Sequence, residues 1–329
     1  MIMNFKRVKL ILGKLAKPKG LTKFIVTTLI ALICFVGVIA SGIGIFLLTT
    51  PRPTNIRECF TTEMFKVHLC PTSPDYTKLR NISPYLRAAV IVSEDSNFYN
   101  HKGLDWFEIR ESINRNLEKG EYVRGGSTIT QQLAKNLYLT AEKSIFRKVR
   151  EAIIAIQIEN ILTKDEILEK YLNVVEFGPD IYGVRKAASY YFNKQPSQLS
   201  VAESAFLAFL LPNPKNYSVS FKRKKLTPFA RARMKLIVNR MWNLKKIDGY
   251  EYDIAMAEIE SFFQPKPEPQ PEIEDIGTDG LLEYPDLTTE DSASDEVPAD
   301  APVSPETSTL EDLPLPDPEE IGDGEDVAD

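Results

Sequence analysis

The longest uncharged stretch of this 329-residue chain covers residues 24–48, and it limits where the rest of the chain can fold. It runs for 25 residues, and at about 1.5 Å of rise per residue a helix of that length crosses the roughly 30 Å hydrocarbon core of a bilayer. The alternatives are a buried helix and a cleaved signal peptide, whose apolar region is usually much shorter. The stretch predicts one transmembrane helix.

Basic residues lie almost entirely on one side of this stretch. Residues 1–23 contain seven Lys and Arg and no acid, whereas only Arg52 and Arg57 follow closely. Because positively charged flanks stay in the cytoplasm, the pattern predicts a cytoplasmic segment at residues 1–23 and an exported chain from Thr49 onward.

Charge and proline content divide the exported part. Residues 265–329 hold 22 acids, one Lys and 11 of the 22 prolines, so their net charge is −21, while residues 1–264 carry +15. Such a composition buries too little apolar surface to offset the entropy of ordering. We expect a disordered acidic tail, interpreted as a solvating appendage in preference to a docking site. Residues 49–80 are interpreted as an extended connector with weak β character, and residues 81–264 as one folded domain.

Three Cys and two His are too few for a zinc framework or a dense disulfide scaffold. Cys59 and Cys70 lie in the exported part, where disulfides form, but their spacing of eleven permits a bond without predicting it. Cys34 lies in the membrane stretch.

Capping signals predict that residues 81–264 are mainly α-helical. A Ser, Thr or Asp stands before each candidate helix and is followed by Pro or, three residues later, by Glu. These pairs are Ser83 with Pro84, Asp105 with Glu108, Thr163 with Glu166, Ser200 with Glu203, and Thr227 with Pro228. Gly120 is expected to end the second of these helices and Gly249 the last. Residues 201–211 are apolar nearly all round, which is typical of a central buried helix.

Two adjacent acids end the first predicted helix. Glu94 and Asp95 follow an apolar run at residues 88–92, and an acid at a helix C-terminus opposes the helix dipole, which disfavours a purely structural role. Neighbouring carboxylates in a partly desolvated place also raise one pKa, as a general base requires. A solvated acidic turn is the alternative, and this segment alone leaves both open.

Two later segments supply cations. A Gly pair and Thr128 precede a helix that places Gln132, Lys135 and Asn136 on one face. A helix N-terminus with a nearby Lys is suited to binding phosphate, although Gly-Gly before a helix is usually a plain turn.

The second segment is residues 146–160, where Arg147, Lys148 and Glu151 share a helix face. They form either a surface ion pair or a basic wall for a pyrophosphate, with Glu151 orienting the cations or a metal.

Five segments taken in order resemble the motif series of the family 51 peptidoglycan glycosyltransferases. They are EDSNFYNHKG (94–103), GGSTITQQLAKNL (125–137), RKVREA (147–152), KDEILEKYLN (164–173) and LPNPKNY (211–217). The resemblance is closest to the monofunctional biosynthetic transglycosylases, because the SxxK and KTG motifs of a transpeptidase domain do not occur in the sequence.

The resemblance implies a lysozyme-like helical fold with a small lobe against the membrane, and polymerisation of lipid II into β-1,4 glycan strands with release of undecaprenyl diphosphate. It implies Glu94 as the general base and Glu151 as the second carboxylate. The residues expected to shape the site or hold the substrate are Asp95, Phe98, His101, Thr128, Gln132, Lys135, Asn136, Arg147 and Lys148.

The implied location is the cell inner membrane, crossed once, with the catalytic domain in the periplasm. Lipid II, the glycan strand and the membrane are the implied partners, other cell wall synthesis or division proteins are candidates, and nucleic acid is not expected. Lys and Arg can meet the charge of a leaving diphosphate, so a divalent cation such as Mg or Mn is an alternative and the metal requirement is left open.

Two rival functions stay open at this point. A lytic muramidase would use two carboxylates to cleave the same polymer. A membrane-anchored scaffold without catalytic activity would use the acidic tail to recruit partners.

Overall fold

The computed structural model describes residues 20–119 and 126–264, and this part of the chain is mainly helical, which confirms the predicted fold class. In chain order the helices are α1 (Gly20–Leu48), α2 (Pro84–Glu94), α3 (Trp106–Lys119), α4 (Ile129–Tyr138), α5 (Ile145–Ile161), α6 (Lys164–Val174), α7 (Val184–Phe192), α8 (Val201–Leu210), α9 (Pro214–Tyr217), α10 (Val219–Lys222), α11 (Pro228–Asn243) and α12 (Gly249–Glu260). The strands are β1 (Phe60–Thr61), β2 (His68–Leu69), β3 (Glu176–Gly178) and β4 (Ile181–Tyr182). Short 3-10 helices cover Leu79–Asn81 and Pro196–Gln198.

Several predicted features lie outside the described residues: most of the basic segment 1–23, the acidic tail 265–329, Gly120 and Gly125. The proposed domain boundaries stay predictions.

Helix α1 contains the predicted membrane stretch. Within it, Lys23–Leu48 is long and apolar enough to cross a membrane, and none of its apolar window is buried in the protein. Its C-terminal end rests on α5: Arg150 Nη2 donates to Thr49 Oγ1 at 3.1 Å, and the rings of Phe46 and Phe146 lie 6.1 Å apart. The helix is therefore joined directly to the folded body.

The connector has the weak β character that was predicted. Strands β1 and β2 pair antiparallel, with Phe60 opposite Leu69. Cys59 and Cys70 form a disulfide across this pair, which decides the question that their spacing left open. The backbone N–H of Glu63 donates to the carbonyl of Leu137 at 2.9 Å, so the connector packs on the end of α4.

Most helix starts follow the capping signals. Ser83 caps α2 with Pro84 in its first turn, Asp105 Oδ1 accepts the first free N–H groups of α3, and Thr227 caps α11. Full capping boxes begin α4, α6 and α8, at Thr128, Thr163 and Ser200 respectively.

The prediction for Gly249 was wrong. Helix α11 ends earlier, at Asn243, and Lys245 then takes a left-handed backbone conformation with φ of 54°. Asp248 and Glu251 form a capping box, so Gly249 is the first residue of α12. A strong N-cap signal directly before a Gly outweighs the usual role of Gly as a helix terminator.

The core is organised around α8, as its apolar sequence predicted. Every residue of Val201–Leu210 except Glu203 is buried, and α8 packs against α2, α11 and α12. A second group consists of α4, α5 and α6, which pack on one another. The end of α2 lies between the two groups, and a cleft opens there.

Candidate active site

A cleft of about 540 Å³ opens where α2 ends, between the two helix groups. One wall comes from the end of α2 and the start of α4, and the other from the end of α8 and from α11. Five of the residues predicted for the site line it: Glu94, Asp95, Thr128, Gln132 and Lys135.

Glu94 is the last residue of α2 and stands partly exposed in the cleft wall. Its Oε2 accepts a hydrogen bond from Gln132 Nε2 at 2.8 Å. Burial raises the pKa of Glu94, while the hydrogen bond from Gln132 and the charge of Lys135 oppose that rise. Asp95 adds a smaller upward effect than burial does, so desolvation, more than the neighbouring acid, sets the direction. The result is a carboxylate that faces solvent with a raised pKa, which suits a general base.

Asp95 belongs to a buried support below Glu94. Both of its carboxylate oxygens lie 3.0 Å from His101 Nε2, and its Oδ2 accepts the backbone N–H of Ile129 at 2.9 Å. The carboxylate therefore ties the end of α2 to the first residue of α4. The ring of His101 packs edge-on to Phe98, which is fully buried. Phe98 and His101 shape the site from beneath and do not line the cleft.

The turn that carries His101 requires a glycine two residues later. Gly103 has φ of +86°, and a Cβ there would lie 3.1 Å from the backbone of Ala155 in α5. The carbonyl of Gly103 accepts a hydrogen bond from Thr128 Oγ1 at 2.6 Å. Because the Thr128 hydroxyl also accepts the Gln131 N–H at 3.1 Å, its side chain is committed to joining this turn to α4.

Lys135 lies one turn along α4 from Gln132 and lines the same cleft. Burial lowers the pKa of Lys135. The carboxylates Glu151 and Glu94 raise it, and Arg147 and Lys148 lower it. The side chain is thus electrostatically coupled to both predicted carboxylates.

Glu151 lies on α5 in a different environment. Its side chain is only 2% exposed, and its two oxygens accept hydrogen bonds from Arg147, at 3.2 Å, and from Lys148. Lys148 Nζ also donates to Ser127 Oγ at 2.6 Å, and Ser127 lines the cleft. The contact among Arg147, Lys148 and Glu151 that their shared helix face predicted is present, and Lys148 reaches the cleft edge through Ser127. Binding of a pyrophosphate by these residues stays a prediction.

Asn136 does not share the position of Lys135. It is 4% exposed and lies outside the cleft lining. Because adjacent helical residues differ by about 100° around the axis, Lys135 and Asn136 lie on opposite sides of Gln132. The cleft is on the side of Lys135. The sequence spacing placed the three residues on one face, but only Gln132 and Lys135 line the cleft.

Three parts of the site escaped prediction. Ser127 received no role. Tyr171, which lies in the motif at residues 164–173, received no individual role either, although its hydroxyl donates to Gln132 Oε1 at 2.9 Å. The opposite wall was also missed; it includes Phe209, Tyr217, Phe229, Arg233 and Arg240. The basic residues of α11 were visible in the sequence, but nothing there indicated that α11 faces α2.

The chain is similar to known proteins over the part that builds this cleft. A sequence model described as transglycosylase matches residues 63–242. A biosynthetic peptidoglycan transglycosylase of Dechloromonas aromatica is 48% identical over 136 residues, which are 41% of this chain and 59% of that protein. One from Alcanivorax borkumensis is 50% identical over 143 residues, 44% of this chain and 58% of that protein.

A third relative aligns over more of its length. The biosynthetic peptidoglycan transglycosylase of Aromatoleum aromaticum is 40% identical over 199 residues, which are 54% of this chain and 86% of that protein. With the first two relatives, by contrast, the match spans less than two thirds of their length.

Proposed function

Because the chain belongs to the transglycosylase family, we propose that it is a peptidoglycan glycosyltransferase that polymerises lipid II into β-1,4 glycan strands and releases undecaprenyl diphosphate. The observation that carries the proposal is Glu94, a carboxylate with a raised pKa in the wall of an open cleft that it shares with Lys135.

Glu94 acts as the general base. The acceptor 4-hydroxyl attacks the anomeric carbon of the donor sugar, and its proton passes to Glu94 as the new C–O bond forms. The bond from the anomeric carbon to the diphosphate breaks, and its electron pair leaves on the diphosphate oxygen. Attack from the side opposite the leaving group inverts an α-linked donor to a β-linked product.

The cationic side chains on α4 and α5 bind the leaving diphosphate. Lys135 lines the cleft, and Lys148 reaches its edge through Ser127. Charge that develops on the diphosphate is stabilised by such preplaced cations, so no strong general acid is needed. Glu151 holds Arg147 and Lys148 in position and serves as a positioning residue for them.

In this proposal the diphosphate charge is met by side chains, and the divalent cation stays an alternative. Glu151 already accepts hydrogen bonds from two cations, and Glu94 accepts one from Gln132. Residues 20–119 and 126–264 contain no group of three or more His, Cys, Asp and Glu side chains arranged to hold a metal, so a divalent cation at this site would depend on the substrate phosphates for ligands. We assign the diphosphate charge to Lys135, Arg147 and Lys148. Polymerisation measured with and without a chelator tests this assignment, since complete loss on chelation would contradict it.

The proposed location is the inner membrane, with the catalytic domain in the periplasm. Helix α1 supplies one span; six basic residues precede this helix, and a seventh, Lys23, lies near its start. Large apolar side chains near the body end of α1 are also exposed on α5, with Ile145 at 72% and Phe146 at 66%. Such a surface favours contact with the lipid that carries the substrate.

Two incubations test the reaction itself. The full-length protein in detergent should consume lipid II and form long glycan, and it should leave finished glycan strands intact. Shortening of finished strands without consumption of lipid II would instead identify the lytic muramidase.

A further inference from the structure

A buried chain of two hydrogen bonds connects α6 with Glu94. Tyr171 on α6 is fully buried, and its hydroxyl donates to Gln132 Oε1 at 2.9 Å. Gln132 Nε2 in turn donates to Glu94 Oε2 at 2.8 Å. The amide of Gln132 is thus held from both sides, with one partner in the core and the other in the cleft.

The two hydrogen bonds run in one direction, with each donor on the Tyr171 side and each acceptor on the Glu94 side. A side-chain amide has one accepting oxygen and one donating NH₂ group, and the two can exchange places by rotation about the terminal bond. Burial raises the pKa of Tyr171 well above its ordinary value, with the charges of Glu94 and Asp95 adding to the effect, so the hydroxyl stays protonated and available as a donor. A donating phenol selects the amide orientation in which Oε1 faces Tyr171 and the NH₂ group faces Glu94.

The opposite orientation is unfavourable at both ends. It would place the amide oxygen of Gln132 against the carboxylate of Glu94, and the NH₂ group against a phenol whose proton would lose its acceptor. Each unsatisfied polar group in such a partly or wholly buried place disfavours that orientation by roughly 5- to 150-fold.

We propose that Tyr171 is a positioning residue that orients the Gln132 amide so that it always presents a donor to Glu94. The inference rests on the proposed function, in which Glu94 is the base. It assigns a task in that reaction to a fully buried tyrosine that does not line the cleft.

The consequence for the reaction follows from the donor. A hydrogen bond to the charged carboxylate favours that form and lowers the pKa of Glu94, against the effect of burial. Without the Tyr171 hydroxyl the amide can turn, the donor is present for only part of the time, and the pKa of Glu94 rises. A larger share of the enzyme then carries a protonated base that cannot accept the acceptor's proton.

The test is the pH dependence of lipid II polymerisation by full-length Tyr171→Phe protein. The acid side of its activity profile should move to higher pH, and the activity deficit should shrink as pH rises. A net hydrogen bond of about 0.5–1.5 kcal/mol corresponds to roughly a 2- to 10-fold deficit on that side. An unmoved acid side in a folded variant would overturn the proposal.

Tyr191→Phe is the matched control. The Tyr191 hydroxyl also donates a buried hydrogen bond, to the carbonyl of Phe177 at 2.8 Å, and Tyr191 lies outside the cleft lining. Loss of the Tyr191 hydroxyl should lower the melting temperature about as much as loss of the Tyr171 hydroxyl does, and it should leave the acid side of the activity profile in place. Equal movement of the profile in both variants would mean that stability is responsible, and the proposal would be wrong.

A double-mutant cycle shows whether the effect passes through Gln132. In a Gln132→Ala background, Tyr171→Phe should cause no further movement of the acid side, because the intermediate amide is gone. The same movement with and without Gln132 would exclude the amide route.

An isosteric replacement covers the case in which Tyr171→Phe folds poorly. Site-specific 3-fluorotyrosine at position 171 makes the hydroxyl a stronger donor. The amide is then polarised further and its hydrogen bond to Glu94 is strengthened, so the acid side should move slightly to lower pH. Movement to higher pH would count against the proposal. Wild-type protein that leaves lipid II unchanged at every pH would overturn the proposed function as well, whereas an active wild type with unmoved variants would overturn the positioning role alone.

Discussion

Glu94 and Glu151 are both glutamates whose charges act on Lys135, yet their surroundings differ in almost every respect. Glu94 ends a helix, faces a cleft and accepts a side-chain hydrogen bond from the neutral amide of Gln132. Glu151 lies within a helix, is 2% exposed and is held by Arg147 and Lys148.

In the proposed reaction, this difference separates the tasks of the two carboxylates. A base needs access to substrate and a pKa high enough to accept a proton, and Glu94 faces the cleft with a pKa that burial raises. Glu151 is buried and accepts hydrogen bonds from two cations, so it anchors their side chains. In that reaction the charge of Glu151 holds the cations that meet the diphosphate.

Replacement of Glu94 is expected to have the largest effect on polymerisation. Glu94→Gln keeps the side-chain shape but removes the base, so polymerisation should fall by several orders of magnitude; the base alone contributes about 10²–10⁴-fold, and its positioning adds to that. Lipid II consumption and the melting temperature should be measured together. A folded variant that keeps its turnover, or its cellular role, would favour the scaffold function.

Lys135 stands between the two carboxylates and should affect binding more than proton transfer. Lys135→Ala removes a charged donor to the diphosphate, worth about 1.5–3 kcal/mol, so lipid II affinity should fall roughly 10- to 100-fold. Lys194→Ala is the control, because Lys194 pairs with Glu203 at 2.8 Å outside the cleft. Unchanged donor affinity in the Lys135 variant would remove that residue from the donor site.

Glu151→Gln should reduce stability as well as activity, which separates it from Glu94→Gln. The change leaves two cations without their shared partner, and since both retain some solvent access the cost should be about 1–3 kcal/mol of unfolding free energy. Glu260 also pairs with two cations, Arg231 and Lys235, but on the surface. Glu260→Gln should barely change the melting temperature. An equal fall in melting temperature in the Glu151 and Glu260 variants would contradict the expected difference between the buried and the surface carboxylate.

The smallest effect concerns the sign of a stability change with pH. The raised pKa of Glu94 favours its neutral form in the folded state, so its stabilising contribution is complete below the unfolded pKa of about 4.3 and is lost as pH rises through the folded pKa. Glu94→Gln, which imitates the neutral form, should match the wild type near pH 4 and be more stable at neutral pH. Thermal unfolding at both pH values checks this, and a less stable variant at neutral pH would contradict it.

Much of the local structure could be predicted because it depends on neighbours in the chain. The capping boxes at Thr128 and Thr163 and the buried helix α8 follow from residue types within one or two helical turns. The failure at Gly249 is also local: two opposing short-range signals met there, and the N-cap at Asp248 was stronger.

The arrangement of the site could be predicted only in part. Glu94 and Lys135 were identified by type and spacing, and both line the cleft. Asn136 was grouped with them although the packing of α4 turns it away. Tyr171 was given no individual role, since nothing near it in sequence indicates that its hydroxyl meets Gln132, 39 residues earlier.

The sequence by itself determined an apolar helix long enough to span a membrane, the mainly helical body, the family and the chemical types of the site, because periodicity, capping and motif order are properties of short segments. Only the tertiary structure decided which glutamate faces the cleft and which is buried among cations. Solvation and charge pairing at a side chain depend on helices that are distant in sequence and adjacent in space.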